Sequence, residues 1–84
     1  MIYIFYRPNS EHEREVNEFA ERLKRERIEP KMFSMDTREG AEKAKTYDLW
    51  EYPAVVATGQ HETPLQTWTG KLPMLGDVTY FARQ

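Results

Sequence analysis

The apolar positions of the chain fall into two kinds of stretch. Met1-Ile2-Tyr3-Ile4-Phe5-Tyr6 is an almost unbroken apolar and aromatic run, and Ala54-Val55-Val56-Ala57-Thr58 is a second. Short runs of this kind predict strands covered on both faces. Between them Val16, Phe19, Ala20 and Leu23 recur at the i, i+3, i+4, i+7 spacing of one buried stripe, which predicts a helix over residues 10–27. Ser10-Glu11-His12-Glu13 at its head matches the capping box, with the Ser10 hydroxyl accepting from the Glu13 amide and the Glu13 carboxylate returning to the Ser10 amide. Glu11, Glu13 and Glu15 suit the positive end of the helix dipole.

The rest of the chain continues the alternation of strands and helices. Ile28-Glu29-Pro30 ends the first helix, because proline disfavours helical geometry in the residue before it. Lys31-Met32-Phe33-Ser34-Met35 alternates weakly and predicts a second strand, parallel to the first because a whole helix separates them. Asp36-Thr37 reads as a turn and cap, and residues 38–50 as a second helix with Ala41, Ala44, Tyr47 or Asp48, and Leu49 inward. Its period is looser, and Gly40 in its first turn is a weak helix former. Glu51-Tyr52-Pro53 opens the strand at 54–58, Gly59 to Pro64 is a turn, and Leu65-Gln66-Thr67-Trp68-Thr69 alternates as a half-exposed strand, so an antiparallel hairpin is expected over 53–69. Pro73 suits the first position of a last helix, with Met74 or Leu75, Val78, Phe81 and Ala82 inward. The order βαβαββα predicts an α/β fold, a four-stranded mixed sheet with helices on both faces.

Composition narrows the function classes. The 84 residues make one domain, 1–84, since a second core would be too small to stand alone. Net charge is −2, with 12 basic side chains interspersed among 14 acidic ones, so no nucleic-acid footprint is expected. The apolar runs are far shorter than the roughly twenty residues of a membrane span, and the N-terminus lacks a signal-peptide pattern; no membrane role and a cytoplasmic location are the expectation. Glu18 with Arg22 and Glu21 with Arg25 are i, i+4 pairs, so the dense helical charge needs no ligand to explain it. The chain has no cysteine.

At the head of the first helix the residues resemble the glutaredoxin-like branch of the thioredoxin superfamily, the small redoxins, in which a strand, a Lys-Pro-x turn and Cys-x-x-Cys follow one another. Phe5-Tyr6-Arg7-Pro8-Asn9 stands at the strand end and turn, which puts Ser10 at the nucleophilic cysteine and Glu13 at the resolving one. Tyr52-Pro53-Ala54-Val55-Val56 looks like the family's strand entry, where the resemblance implies a cis proline against the active-site turn. Trp68-Thr69-Gly70-Lys71-Leu72-Pro73 is similar to the Trp-Ser-Gly-Phe-Arg-Pro segment of the redoxins that serve ribonucleotide reductase, with Leu72 in place of the arginine. The resemblance covers nearly the whole chain and implies a thioredoxin-like fold. The family's reaction does not transfer, because a serine hydroxyl stays protonated at neutral pH and neither forms nor exchanges a disulfide.

The leading functional expectation is therefore a redox-inactive module that binds a protein or extended peptide. Its groove lies between Arg7, Pro8, Asn9 and Ser10 and the Tyr52-Pro53 pair, with aromatic contact from Tyr6, Tyr52 or Trp50. The alternative is a glutathione-binding or glutathione-dependent protein. There Tyr6 or Ser10 would stabilise the bound thiolate, as the resemblance to glutathione transferases implies, while the resemblance to glutaredoxins implies that Arg7, Tyr52 with Pro53, and Gly76 with Asp77 would hold the tripeptide. The bulk of Tyr52 stands against that, as it fills the groove. A third class is a structural or assembly domain, or a redoxin stripped of its cysteines, whose groove has no ligand. Ser10 lacks the base of a serine hydrolase: His12 is two residues along the same helix on a different face, and His61 is in the hairpin loop. His12-Glu13 opens like His-Glu-x-x-His, but Val16 occupies the second histidine position, so neither a metal nor any cofactor beyond glutathione is expected.

Overall fold

The protein is described by a computed structural model covering residues 1–83. In chain order the elements are β1 (Ile2–Tyr6), α1 (Glu13–Arg25), β2 (Lys31–Ser34), α2 (Arg38–Thr46), β3 (Ala54–Thr58), a 3₁₀ turn (Gln60–Glu62), β4 (Pro64–Thr69) and α3 (Leu75–Ala82). The strands form one four-stranded sheet in the order β2-β1-β3-β4. β1 runs parallel to β2, with Phe5 opposite Phe33, and antiparallel to β3, with Phe5 opposite Ala54. β3 and β4 form the antiparallel hairpin, with Val55 opposite Trp68.

The central place of β1 explains its unbroken apolar sequence. Alternation sends Ile2 and Ile4 to one face, where they pack with Val16, Phe19, Ala20 and Leu23 of α1, Val55 and Ala57 of β3 and Val78 of α3. Tyr3 and Phe5 go to the other face, with Phe33, Ala44, Leu49, Ala54 and Val56. Each fully buried Ile, Leu, Val or Phe contributes about 1.5–3 kcal/mol, so neither face can be left bare. The aromatic core on the α2 side is ordered by ring contacts, Phe5 stacked on Phe33 at 5.0 Å and Tyr3 edge-on to Phe33 at 5.4 Å.

The first two helices end on non-glycine residues in the left-handed region, Arg27 (φ 63°) after α1 and Asp48 (φ 57°) after α2. In each case the chain closes by a Schellman pattern, Ile28 amide to Leu23 carbonyl and Leu49 amide to Ala44 carbonyl, both at 2.9 Å. The closure turns Ile28 and Leu49 back onto the cores. It also makes α2 stop at Thr46, before the residue 50 suggested by its apolar period.

Three sequence expectations are corrected. α1 starts at Glu13, not Ser10, and the capping box is not made. The Ser10 hydroxyl donates to the Arg7 carbonyl, the Glu13 carboxylate accepts from the Asn9 amide at 3.2 Å, and His12 Nε2 accepts from the Arg7 amide at 3.1 Å. The cause is the Pro8-Asn9 turn: Asn9 takes φ 58°, which asparagine tolerates, and the turn consumes the groups that would have capped the helix. Pro73 is not the first helical residue either, because the chain stays extended through Met74, which caps α3. Gly40, a weak helix former by composition, is required by packing. A Cβ there would lie 2.0 Å from the Ser34 carbonyl oxygen, so only glycine lets the first turn of α2 rest on the end of β2.

Candidate functional site

The C-terminal end of β1 and the entry to β3 meet at one end of the sheet, because Phe5 opposite Ala54 carries the register on to Tyr6, Arg7 and Pro53. The Tyr52–Pro53 peptide bond is cis, and the Pro53 carbonyl accepts from the Gly70 amide at 3.0 Å. Gly70 holds φ +88°, the left-handed region that favours glycine. Tyr52 is fixed at its hydroxyl, which donates to the Leu49 carbonyl at 2.9 Å, and on its face, where the Arg7 guanidinium lies 5.0 Å from the ring centroid. Among the described residues, no hydrogen bond uses the backbone amide or carbonyl of Tyr52.

Beside Tyr52 opens a cleft of about 420 Å³. Ala41, Ala44 and Leu49 line it as an apolar floor, with Arg7, Lys45, Asp48, Trp50 and Tyr52 around them. Trp50 is 82% exposed, an unusual position for an indole, and is oriented by its Nε1 donating to the Asp48 carboxylate at 2.9 Å. Among the described residues Arg7 and Lys45 make no ion pair. The site can hold an apolar or aromatic side chain against Leu49 and Trp50 while offering backbone hydrogen bonds at Tyr52 and two cations at its margin.

The residues singled out from sequence divide accordingly. Arg7 and Tyr52 line the cleft, and Pro53 supports it. Pro8, Asn9 and Ser10 form the adjoining turn without lining the cleft. Tyr6 packs against the core on the α1 and α3 face, across the sheet from the cleft, so it does not supply the expected aromatic contact. Gly76 and Asp77 sit exposed in the first turn of α3, also across the sheet, and do not complete this groove. Ala41, Ala44 and Lys45 of α2, and Asp48 and Leu49 just after it, carry no site motif in the sequence. Their one signal in the sequence is the loose period of α2 running into an indole with no core position. No group of three His, Cys, Asp or Glu side chains able to hold a metal occurs among the described residues. His12 is engaged with the Arg7 amide.

A second polar cluster fixes the hairpin loop. The Glu62 carboxylate accepts from the Tyr3 hydroxyl at 2.7 Å and from Lys43 Nζ at 2.6 Å, and the Tyr47 hydroxyl donates to the Glu62 carbonyl at 2.9 Å. The hydrogen bond from Lys43, then that from Tyr3, holds the Glu62 carboxyl below its ordinary value, and the same bond raises Lys43. Burial, followed by the bond to Glu62, pushes the Tyr3 hydroxyl up. Glu62 adopts φ 59°, and the three bonds hold that conformation. These contacts join β1, α2 and the loop, which makes the cluster structural.

No helix of the described residues is long and apolar enough to cross a membrane. No protein-family model and no curated protein matches the chain. The solution structure of a thioredoxin from Thermus thermophilus is similar, with a TM-score of 0.63, 20% sequence identity, and coverage of 98% of this chain and 70% of that one. The element order, the mixed sheet and this likeness together show that the chain has a thioredoxin-like fold, carried on a sequence without cysteine.

Proposed function

We propose that this chain is a redox-inactive, glutaredoxin-like binding module that takes an extended peptide of a protein partner at the cleft beside Tyr52 and Pro53. The observation that carries the reading is the conjunction of an unpaired backbone at Tyr52 with an open, aromatic-rimmed cleft next to it. An extended segment would pair with the Tyr52 amide and carbonyl, each bond contributing about 0.5–1.5 kcal/mol. One of its side chains would then enter between Trp50 and Tyr52 onto the Leu49 floor. Burial of an indole and an apolar guest adds the larger part, as large aromatic residues dominate such contacts. Thiol–disulfide exchange is outside the chemistry of these side chains.

The glutathione alternative has weaker support. Tyr6 faces the other side of the sheet, and the Ser10 hydroxyl already donates to the Arg7 carbonyl. The test is an array of blocked decapeptides probed with the full chain, followed by titration of the strongest binder and of reduced glutathione into the protein and its Trp50→Ala and Arg7→Ala variants. Selective peptide binding that falls about tenfold or more in Trp50→Ala supports the reading. Glutathione binding alone supports the alternative, and binding indifferent to Trp50 and Arg7 overturns the proposed groove.

A further inference from the structure

β4 is a terminal strand of the sheet, paired only with β3. The Gly70 amide donates to the Pro53 carbonyl, and the alternation of antiparallel pairs from that point turns the amides and carbonyls of Trp68 and Gln66 toward β3. Those of Leu65, Thr67 and Thr69 therefore face outward. Open edges are normally blunted by charge, by proline or by a central bulge. From Pro64 to Thr69 this edge carries no charged residue, its proline is the first residue, and the register irregularity lies at that same end, opposite Ala57 and Thr58. The other edge of the sheet is protected, since Pro30 precedes β2 and Lys31 opens it. On the face shared with α2, Leu65, Thr67 and Thr69 are exposed.

We propose that β4 pairs with β4 of a second copy of this chain, antiparallel, about a twofold axis through Thr67. In that register Thr67 stands opposite its own copy, Leu65 opposite Thr69, and Gln66 opposite Trp68. The outward-facing residues of one copy thus meet those of the other and close about six backbone hydrogen bonds. Because the strand is neutral, self-pairing brings no like charges together. The threonine pair on the axis, and the Leu65 methyls against Thr69, are favourable cross-strand neighbours. One internal contact competes, the Gln66 side-chain amide on the Thr67 carbonyl, and at 3.5 Å it is long enough to be displaced at little cost. This inference is independent of the peptide-binding reading, since it uses neither the cleft nor Tyr52.

Sedimentation velocity of the full chain over a concentration series tests it, with Thr67→Lys, Thr67→Glu and an equimolar mixture of the two variants. The wild-type chain should dimerise with rising concentration. Each variant alone should weaken the dimer by about tenfold or more, because like charges then face each other on the axis. The mixture should recover the wild-type association, and amide exchange at Leu65, Thr67 and Thr69 should slow as the chain is concentrated. A wild-type chain that stays monomeric at about 1 mM, a concentration at which a dimer with a Kd of about 1 mM is half formed, overturns the proposal. So does a dimer unmoved by either substitution or a mixture that fails to associate.

Discussion

Replacing Gly40 with alanine reverses the usual effect of that substitution. In a helix interior alanine is favoured over glycine by about 0.8–1.0 kcal/mol, so sequence alone predicts a gain. In the structure the added Cβ would lie 2.0 Å from the Ser34 carbonyl oxygen, 2.8 Å from its carbon and 3.0 Å from Thr37 Oγ1. Two of these are backbone atoms at the end of β2, so no side chain can swing aside. The first turn of α2 must withdraw by about 1 Å, an overpacking cost of about 1–3 kcal/mol. Withdrawal also stretches the cap in which Thr37 Oγ1 accepts from the Gly40 amide at 3.0 Å, a contact whose loss costs about 1 kcal/mol. Subtracting the propensity gain leaves a net loss of about 1–3 kcal/mol, or roughly 5–20 °C in Tm for a domain of this size. Urea and thermal denaturation of Gly40→Ala beside the wild-type chain measure it. A variant as stable as wild type or more stable would show that α2 does not rest on Ser34, and the wall of the cleft would then be misplaced.

Other outcomes follow from the same contacts. Thr37→Ala should cost about 1 kcal/mol, because the hydroxyl both caps α2 and donates to the Ser34 carbonyl, whereas Ser10→Ala should cost about half that, since its exposed bond to Arg7 caps no helix. Equal losses in denaturation curves would restore the capping-box reading. A thiol introduced by Ser10→Cys should titrate near the ordinary 8.5 or above, as position 10 precedes the first turn of α1 and stands beside Glu11 and Glu13; iodoacetamide alkylation against pH reads this. Stability should also depend on Glu62. Its folded pKa lies below the ordinary 4.5, so its contribution is complete above that value and is lost as pH falls through the folded pKa. Lys43 and Tyr3 have raised values, so their contributions are complete below 10.5 and 10.0 and fade as pH rises beyond them. Denaturation midpoints against pH should therefore show a fall below about pH 4.5 that is absent in Glu62→Gln. Parallel curves for the two proteins would contradict the cluster.

The fold was legible where burial leaves a periodic trace. The runs at residues 1–6 and 54–58 announced doubly covered strands, and Val16, Phe19, Ala20 and Leu23 announced the inner face of α1. Element ends were less legible, because Arg27 and Asp48 take the left-handed position that glycine usually marks. The capping box failed for a related reason: a local motif records which bonds the side chains of Ser10 and Glu13 can make, while the Pro8-Asn9 turn decides which they do make. Only the family resemblance put Arg7 and Tyr52 near each other, and the cleft depends on α2 stopping at Thr46 and presenting Leu49 and Trp50, which follows from the Schellman closure. The Tyr3, Lys43, Tyr47 and Glu62 cluster had no pattern to reveal it, since contacts between distant loops and helices leave none.

The most direct measurement is a heteronuclear NMR titration of the isotope-labelled chain with the decapeptide selected on the array. Perturbation concentrated at Arg7, Leu49, Trp50 and Tyr52, with protection of the Tyr52 amide from exchange and little change at Tyr6, Gly76 and Asp77, is the predicted result. Shifts centred instead on Tyr6, Gly76 and Asp77, or a Tyr52 amide that exchanges as freely in the complex as before, would contradict it.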